Sequence, residues 1–148
     1  GADASFKQIF AVVVHSGVDR TNAESGYATR RRELEEGVAS RVRHVETENE
    51  RVRAAAAALR ADDRPALARL FREGHDSLRD DFEVTVPEVD ALVDLAYAEG
   101  AVAARMTGGG FGGAVVALVD GRDVERFALR MPEPHWVTRA CDGARELL

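Results

Sequence analysis

Residues 105–120 read RMTGGGFGGAVVALVD, and the five glycines inside that stretch, Gly108, Gly109, Gly110, Gly112 and Gly113, are the part of the sequence best suited to chemistry. Lacking side chains and free to adopt φ > 0, they let backbone N–H groups turn together toward an anion. A chain cradles phosphate in this way from backbone alone. Gly108, Gly110 and Gly113 also satisfy G-x-G-x-x-G, but a dinucleotide fingerprint needs a helix directly after the loop. Here the loop is followed by AVVALV, short, β-branched and bounded by Asp120-Gly121, which reads as a buried strand. A Walker A loop is excluded too, because no Lys-Ser or Lys-Thr pair closes the glycines. What remains is strand, glycine loop, strand, with residues 103–106 entering; the plain alternative is a hairpin turn that holds no ligand.

A second concentration of reactive side-chain types lies in residues 73–96, EGHDSLRDDFEVTVPEVDALVDLA. His75, Asp76, Asp80 and Asp81 have the chemistry of acids, bases or metal ligands. The competing and preferred reading is structural, with Asp and Ser capping helix ends and pairing with Arg79. His44 and Glu48 sit one helical turn apart, but no third ligand has a fixed spacing to them. They are read as a helix-surface pair, and no metal site is expected.

The elements that must position these residues follow from periodicity. Residues 9–15, IFAVVVH, form an apolar β-branched run stopped by Ser16-Gly17, a central strand. After a polar turn through Asp19, Arg20 and Asn22, helix-forming composition begins at about Tyr27, with Ser25 as a possible cap. From there to Arg60 only Gly37 and Ser40 interrupt the pattern. Its second part, residues 41–60, places Val42, Val45, Val52, Ala56 and Leu59 on one stripe, predicted to face the core. Asp62 or Asp63 caps the next helix, with Pro65 in its first turn and Leu67, Leu70 and Phe71 inward. Pro87 opens another helix, with Val89, Leu92, Val93 and Leu95 toward the core. Residues 123–129 are a short helical pattern and residues 135–140, HWVTRA, a last strand. Together these predict an α+β domain, a mostly antiparallel sheet of about four strands covered by helices on one side.

The 148 residues are one domain's worth, and 45% hydrophobic with 31% charged residues is ordinary for a soluble protein. A net charge of -6 argues against a nucleic-acid surface, so phosphate binding must be local. Cys141 is the only cysteine, which precludes an internal disulfide and fits a reducing cytoplasm. No apolar run approaches a membrane span and no signal peptide is visible. The sequence opens on Gly1 rather than Met, which fits a fragment, a tag remnant or a trimmed chain.

MTGGGFGG followed by an apolar strand resembles the third signature of the GHMP small-molecule kinases, and the preceding Arg105 narrows the resemblance to the galactokinases. The rest of the chain follows the same order. An apolar strand ends in a small polar pair; Ser25-Gly26-Tyr27 stands where galactokinases carry a Ser-Glu-Tyr-like triplet; a run of arginines follows. The HDSLRDDFEV segment and the proline opening a helix are similar as well. Gly26 in place of Glu, and acidic Asp19 where a basic residue is common, are departures that leave Tyr27 in place.

The resemblance covers nearly the whole chain, residues 1–148, as a GHMP kinase C-terminal domain-like unit, and corresponds to the carboxy-terminal half of a galactokinase. It implies ATP-dependent phosphorylation of galactose at its anomeric hydroxyl by a full-length protein. ATP and Mg²⁺ would be bound mainly by an amino-terminal lobe that carries the catalytic aspartate. No catalytic residue is therefore expected in this chain, and the isolated chain is predicted inactive. By the same resemblance, Tyr27 hydrogen-bonds a sugar hydroxyl and the glycine loop forms the phosphate-side wall. Thr107 supports that loop, and Arg105 either orients it or merely pairs with an acidic neighbour. Alternatives are a galactokinase-like sugar sensor acting through a protein partner, or another GHMP kinase. Galactokinases also have longer connections near Ser40 to Arg41 and within residues 128–131, which predicts a break in the chain at both places.

Overall fold

The computed structural model describes residues 8–19 and 23–141, so Arg20 and Asn22 of the expected polar turn lie outside the described residues. In chain order the elements are β1 (Ile9–His15), α1 (Ala23–Glu35), α2 (Ala39–Ala61), α3 (Arg64–Asp80), α4 (Pro87–Ala98), β2 (Ala103–Thr107), β3 (Ala114–Asp120), α5 (Val124–Arg130) and β4 (His135–Thr138). The strands form one antiparallel sheet in the order β2-β3-β1-β4. The predicted β1 and the β2-loop-β3 unit are borne out, and β1 is an interior strand as its apolar run requires.

Alternation along the strands decides which face holds the core. Val12 and Val14 on β1, Val115, Ala117 and Val119 on β3, and Ala104 and Met106 on β2 share one buried face. Against it pack Val89, Leu92, Val93 and Ala96 of α4, with Val124 and Phe127 of α5. Complete burial of an aromatic such as Phe127 contributes roughly 2–3 kcal/mol. Leu95 does not join them: it is 36% exposed. Nor are the helices confined to one side. Ala103 and Leu118 point to the opposite face, where Ala58 of α2 and Leu67 and Leu70 of α3 form a second, smaller apolar cluster.

The single long helix suggested by residues 27–60 is two. Gly37 takes φ +81°, its N–H bonds Leu34 O at 3.0 Å, and the Val38 N–H bonds Glu33 O at 2.9 Å. That pair of bonds is a Schellman stop, for which a left-handed glycine is the ordinary requirement. Helix α1 begins at Ala23, which puts Ser25 inside the helix rather than at its cap. No break occurs at either expected place. Ser40 and Arg41 lie within α2, and α5 ends with the Met131 N–H on Ala128 O at 3.1 Å.

The apolar stripe of α2 is borne out in part: Val42, Val45, Ala56 and Leu59 are half-buried, and Leu59 packs against the second cluster. Arg41, His44 and Ala58 are its buried residues, whereas Val52 is 58% exposed. Counting hydrophobic positions missed Arg41 and His44 because each has a partner, Glu33 for Arg41 and Ser77 for His44, and a paired polar group loses little on burial. At the α2–α3 junction Asp63, not Asp62, is the cap: its Oδ1 accepts the Ala66 N–H at 3.0 Å. Pro65 occupies the first turn of α3, as expected.

Candidate functional site

Thr107 pairs with Ala114, so residues 108–113 form a loop between two neighbouring antiparallel strands. The backbone is left-handed at Gly108, Gly110, Phe111, Gly112 and Gly113. A Cβ on Gly110 would stand 2.3 Å from Val84 O, and one on Gly112 would stand 2.8 Å from Val18 O. These two glycines therefore serve close approach to the protein itself, as well as the φ requirement.

Not every N–H of the loop faces outward. Phe111 donates to Val84 O at 2.7 Å and Gly113 to Val18 O at 3.3 Å. Gly108, Gly109 and Gly112 make no hydrogen bond to the described chain. The expected five-glycine cradle is thus narrower, but a set of unused donors on a left-handed backbone still suits an anion such as phosphate.

Phe111 joins this loop to α1. Its ring lies against Gly26, where a Cβ would fall 2.7–2.9 Å from three ring carbons. Tyr27 is the next residue; it is 46% exposed and its phenol bonds no described residue. Helix α1 is itself fixed through the segment that holds the loop. Glu83 is left-handed (φ +54°). Its carbonyl accepts from Arg30 Nε at 3.0 Å and its carboxylate meets Arg41 at 2.7 Å. The buried Arg41 also bonds Glu33 at 2.7 Å and Asp81 O at 2.6 Å. The hydrogen bond from Arg41 holds the Glu33 carboxyl below the usual carboxylate range.

Arg105 pairs with an acidic neighbour. Its Nη1 lies 2.7 Å from Glu48 Oε1 on α2. Gly74 leaves room for the guanidinium, since a Cβ there would come within 2.7 Å of it. Burial pushes the Glu48 carboxyl up, but Arg105 and Arg51 override it and hold the group low. Thr107 is exposed at the mouth of the loop.

The remaining reactive side chains have partners within the fold. Asp76 and Asp80 pair with Arg79 at 3.2 and 2.8 Å, whereas Asp81 pairs with Arg43 rather than Arg79. His44 Nδ1 is 2.8 Å from Ser77 Oγ and its ring stacks on Phe82 at 4.8 Å. His75 is buried between α4 and β2. Among the described residues no group of three metal-ligating side chains converges. Sequence reasoning missed Arg41, Val84 and Phe111 as parts of the site. A glycine at position 26 within helix-forming residues was the available sign of close approach there.

The comparisons with known proteins agree with this geometry. The family described as GHMP kinases C terminal matches residues 55–135, more than half of the chain. A galactokinase of Streptomyces coelicolor is 52% identical over 91 residues, 62% of this chain and 24% of that protein. The structure of Lactococcus lactis galactokinase complexed with galactose superposes with a TM-score of 0.83 at 26% identity, over 96% of this chain and 48% of the other. L. major mevalonate kinase in complex with R-mevalonate gives a TM-score of 0.75, also at 26% identity, over 94% and 45%. The chain therefore spans about half the length of the kinases whose fold it shares. The family match takes in β2, the glycine loop and β3, and it covers more than half of the chain, so this chain belongs to the GHMP kinases as their C-terminal domain.

Proposed function

We propose that this chain is the carboxy-terminal half of a cytoplasmic galactokinase, whose full-length form moves the γ-phosphoryl of ATP to the anomeric hydroxyl of galactose with Mg²⁺. The observation that carries the reading is the 52% identity to a galactokinase. Fold alone does not separate sugar from mevalonate, since both solved kinases stand at 26% identity.

Phosphoryl transfer is chiefly a matter of positioning and charge stabilisation. In this reading the N–H groups of Gly108, Gly109 and Gly112 face the phosphates and the Tyr27 phenol orients a sugar hydroxyl. Thr107 lines the mouth of the loop. Arg105, tied to Glu48, steadies β2 rather than touching ligand. ATP supplies the phosphoryl group and is held, with Mg²⁺, mainly by the amino-terminal half. The 148 residues act as one domain that needs that partner.

An ADP-release assay tests this. The full-length protein is expected to turn over galactose and not mevalonate, and this chain alone to release no ADP above background. Tyr27→Phe in the full-length protein is expected to lower kcat/KM for galactose about five-fold, the net worth of one hydrogen bond near 1 kcal/mol. Galactose binding without turnover would favour a sensor; turnover of mevalonate, or kinase activity in the isolated chain, would overturn the proposal.

A further inference from the structure

We propose that His75 is a positioning residue for the glycine loop, pinning its start and its centre to one another through Asp90 and the Val84-Thr85 segment.

Strand β2 is an edge of the sheet, so its outer N–H groups meet no strand. The Met106 N–H, two residues before Gly108, donates instead to His75 Nδ1 at 3.2 Å. With Nδ1 accepting, the imidazole carries its proton on Nε2, which donates to Asp90 Oδ1 at 2.8 Å. The other Asp90 oxygen accepts from the Thr85 hydroxyl at 3.2 Å. Thr85 adjoins Val84, whose carbonyl receives the Phe111 N–H at 2.7 Å. The chain of contacts closes on the loop from both sides: Met106, His75, Asp90, Thr85, Val84, Phe111.

Such a circuit answers a physical need. A run of glycines loses more backbone freedom on ordering than any other sequence, so its geometry must be imposed by its neighbours. The imidazole is 1% exposed, and burial lowers its pKa in spite of Asp90. Asp76, Arg79 and Asp80 of its own helix and Asp90 of α4 are charged groups that act on it. A second donor at Nδ1 would oppose the Met106 N–H, so only the neutral ring serves. The link to phosphate positioning rests on the proposed kinase function; the link to loop order does not.

Amide hydrogen exchange and imidazole ¹⁵N spectra of the full chain test the circuit. The spectra are expected to give an unprotonated Nδ1 and a protonated Nε2; the opposite tautomer would overturn the proposal. His75→Leu is expected to speed exchange at Met106 and Phe111 about five-fold, the worth of one hydrogen bond, with Val12 and Val14 unchanged. His75→Asn, which keeps an acceptor near Nδ1, is expected to restore Met106. Thr85→Val preserves shape and removes only the partly buried hydroxyl, so it decides the matter should His75→Leu fail to fold: faster exchange at Met106 and Phe111 supports the circuit. Unchanged loop exchange, or equal acceleration throughout the sheet, would overturn it. In the full-length enzyme Thr85→Val is expected to lower kcat about two-fold with the galactose KM unchanged, a fraction of one hydrogen bond. A wild-type enzyme inactive on galactose would instead remove the proposed function and leave the exchange result standing.

Discussion

Strands β2 and β4 are the two edges of one sheet, and they meet their surroundings by different means. On β2 the outward groups are taken up by side chains: His75 accepts the Met106 N–H, and the Tyr97 hydroxyl lies 3.2 Å from Ala104 O. On β4 three of the four residues are exposed, Trp136 at 53% and Val137 at 45% among them. That edge is kept short, at four residues, with Pro132 and Pro134 ahead of it. Brevity and proline are enough to discourage strand addition. Side-chain sealing does something more, because it fixes where the strand lies. The sealed edge is the one that feeds the glycine loop.

Substitutions at the two edges sharpen the contrast. The largest effect is expected from Gly110→Val, which places a branched side chain at φ +88° with its Cβ 2.3 Å from Val84 O. A loss on the order of 3 kcal/mol in denaturant unfolding is expected from strain and overlap together. A loss under about 1 kcal/mol would mean that the loop is free to move away from Val84. Tyr97→Phe is expected to cost about 1 kcal/mol by leaving Ala104 O without its donor. The Arg72 guanidinium, 4.0 Å from the ring centroid, keeps its partner in that variant, which isolates the hydroxyl.

A shallower loss is expected on acidification. Burial lowers the pKa of both His75 and His44 in the folded chain. The unfolded chain then binds more protons as pH falls below about 6.5, so the stability that the neutral rings contribute is full above that pH and declines beneath it. Asp80, Asp81, Asp120 and Glu33 are all held low by arginine partners, and their contribution is lost only at more acid pH. His75→Asn is expected to flatten the upper window to the share of His44; an unaltered profile would remove His75 from it. Trp136→Ser on the open edge is expected to change stability by no more than about 0.5 kcal/mol.

The difference between the edges also explains what was legible. Strands, a cap at Asp62 or Asp63 and the Pro87 helix start follow from local patterns, and the sequence shows them. The polar inward positions of α2 are not legible, because their partners lie far along the chain: Glu83 for Arg41, Ser77 for His44, Arg105 for Glu48. Periodicity has no access to such pairs. The glycine loop was legible as a loop and in its dependence on φ > 0. That Gly110 and Gly112 also make room for Val84 and Val18 is a fact of tertiary approach.

Gly26 has a use beyond letting Phe111 close in. Any larger residue there must displace either the ring or the helix, because even a Cβ falls within 2.9 Å of three ring carbons. Position 26 thus works as a shim between α1 and the glycine loop. Its thickness sets how far the helix bearing Tyr27 stands from Phe111, and a glycine is the thinnest shim a chain has.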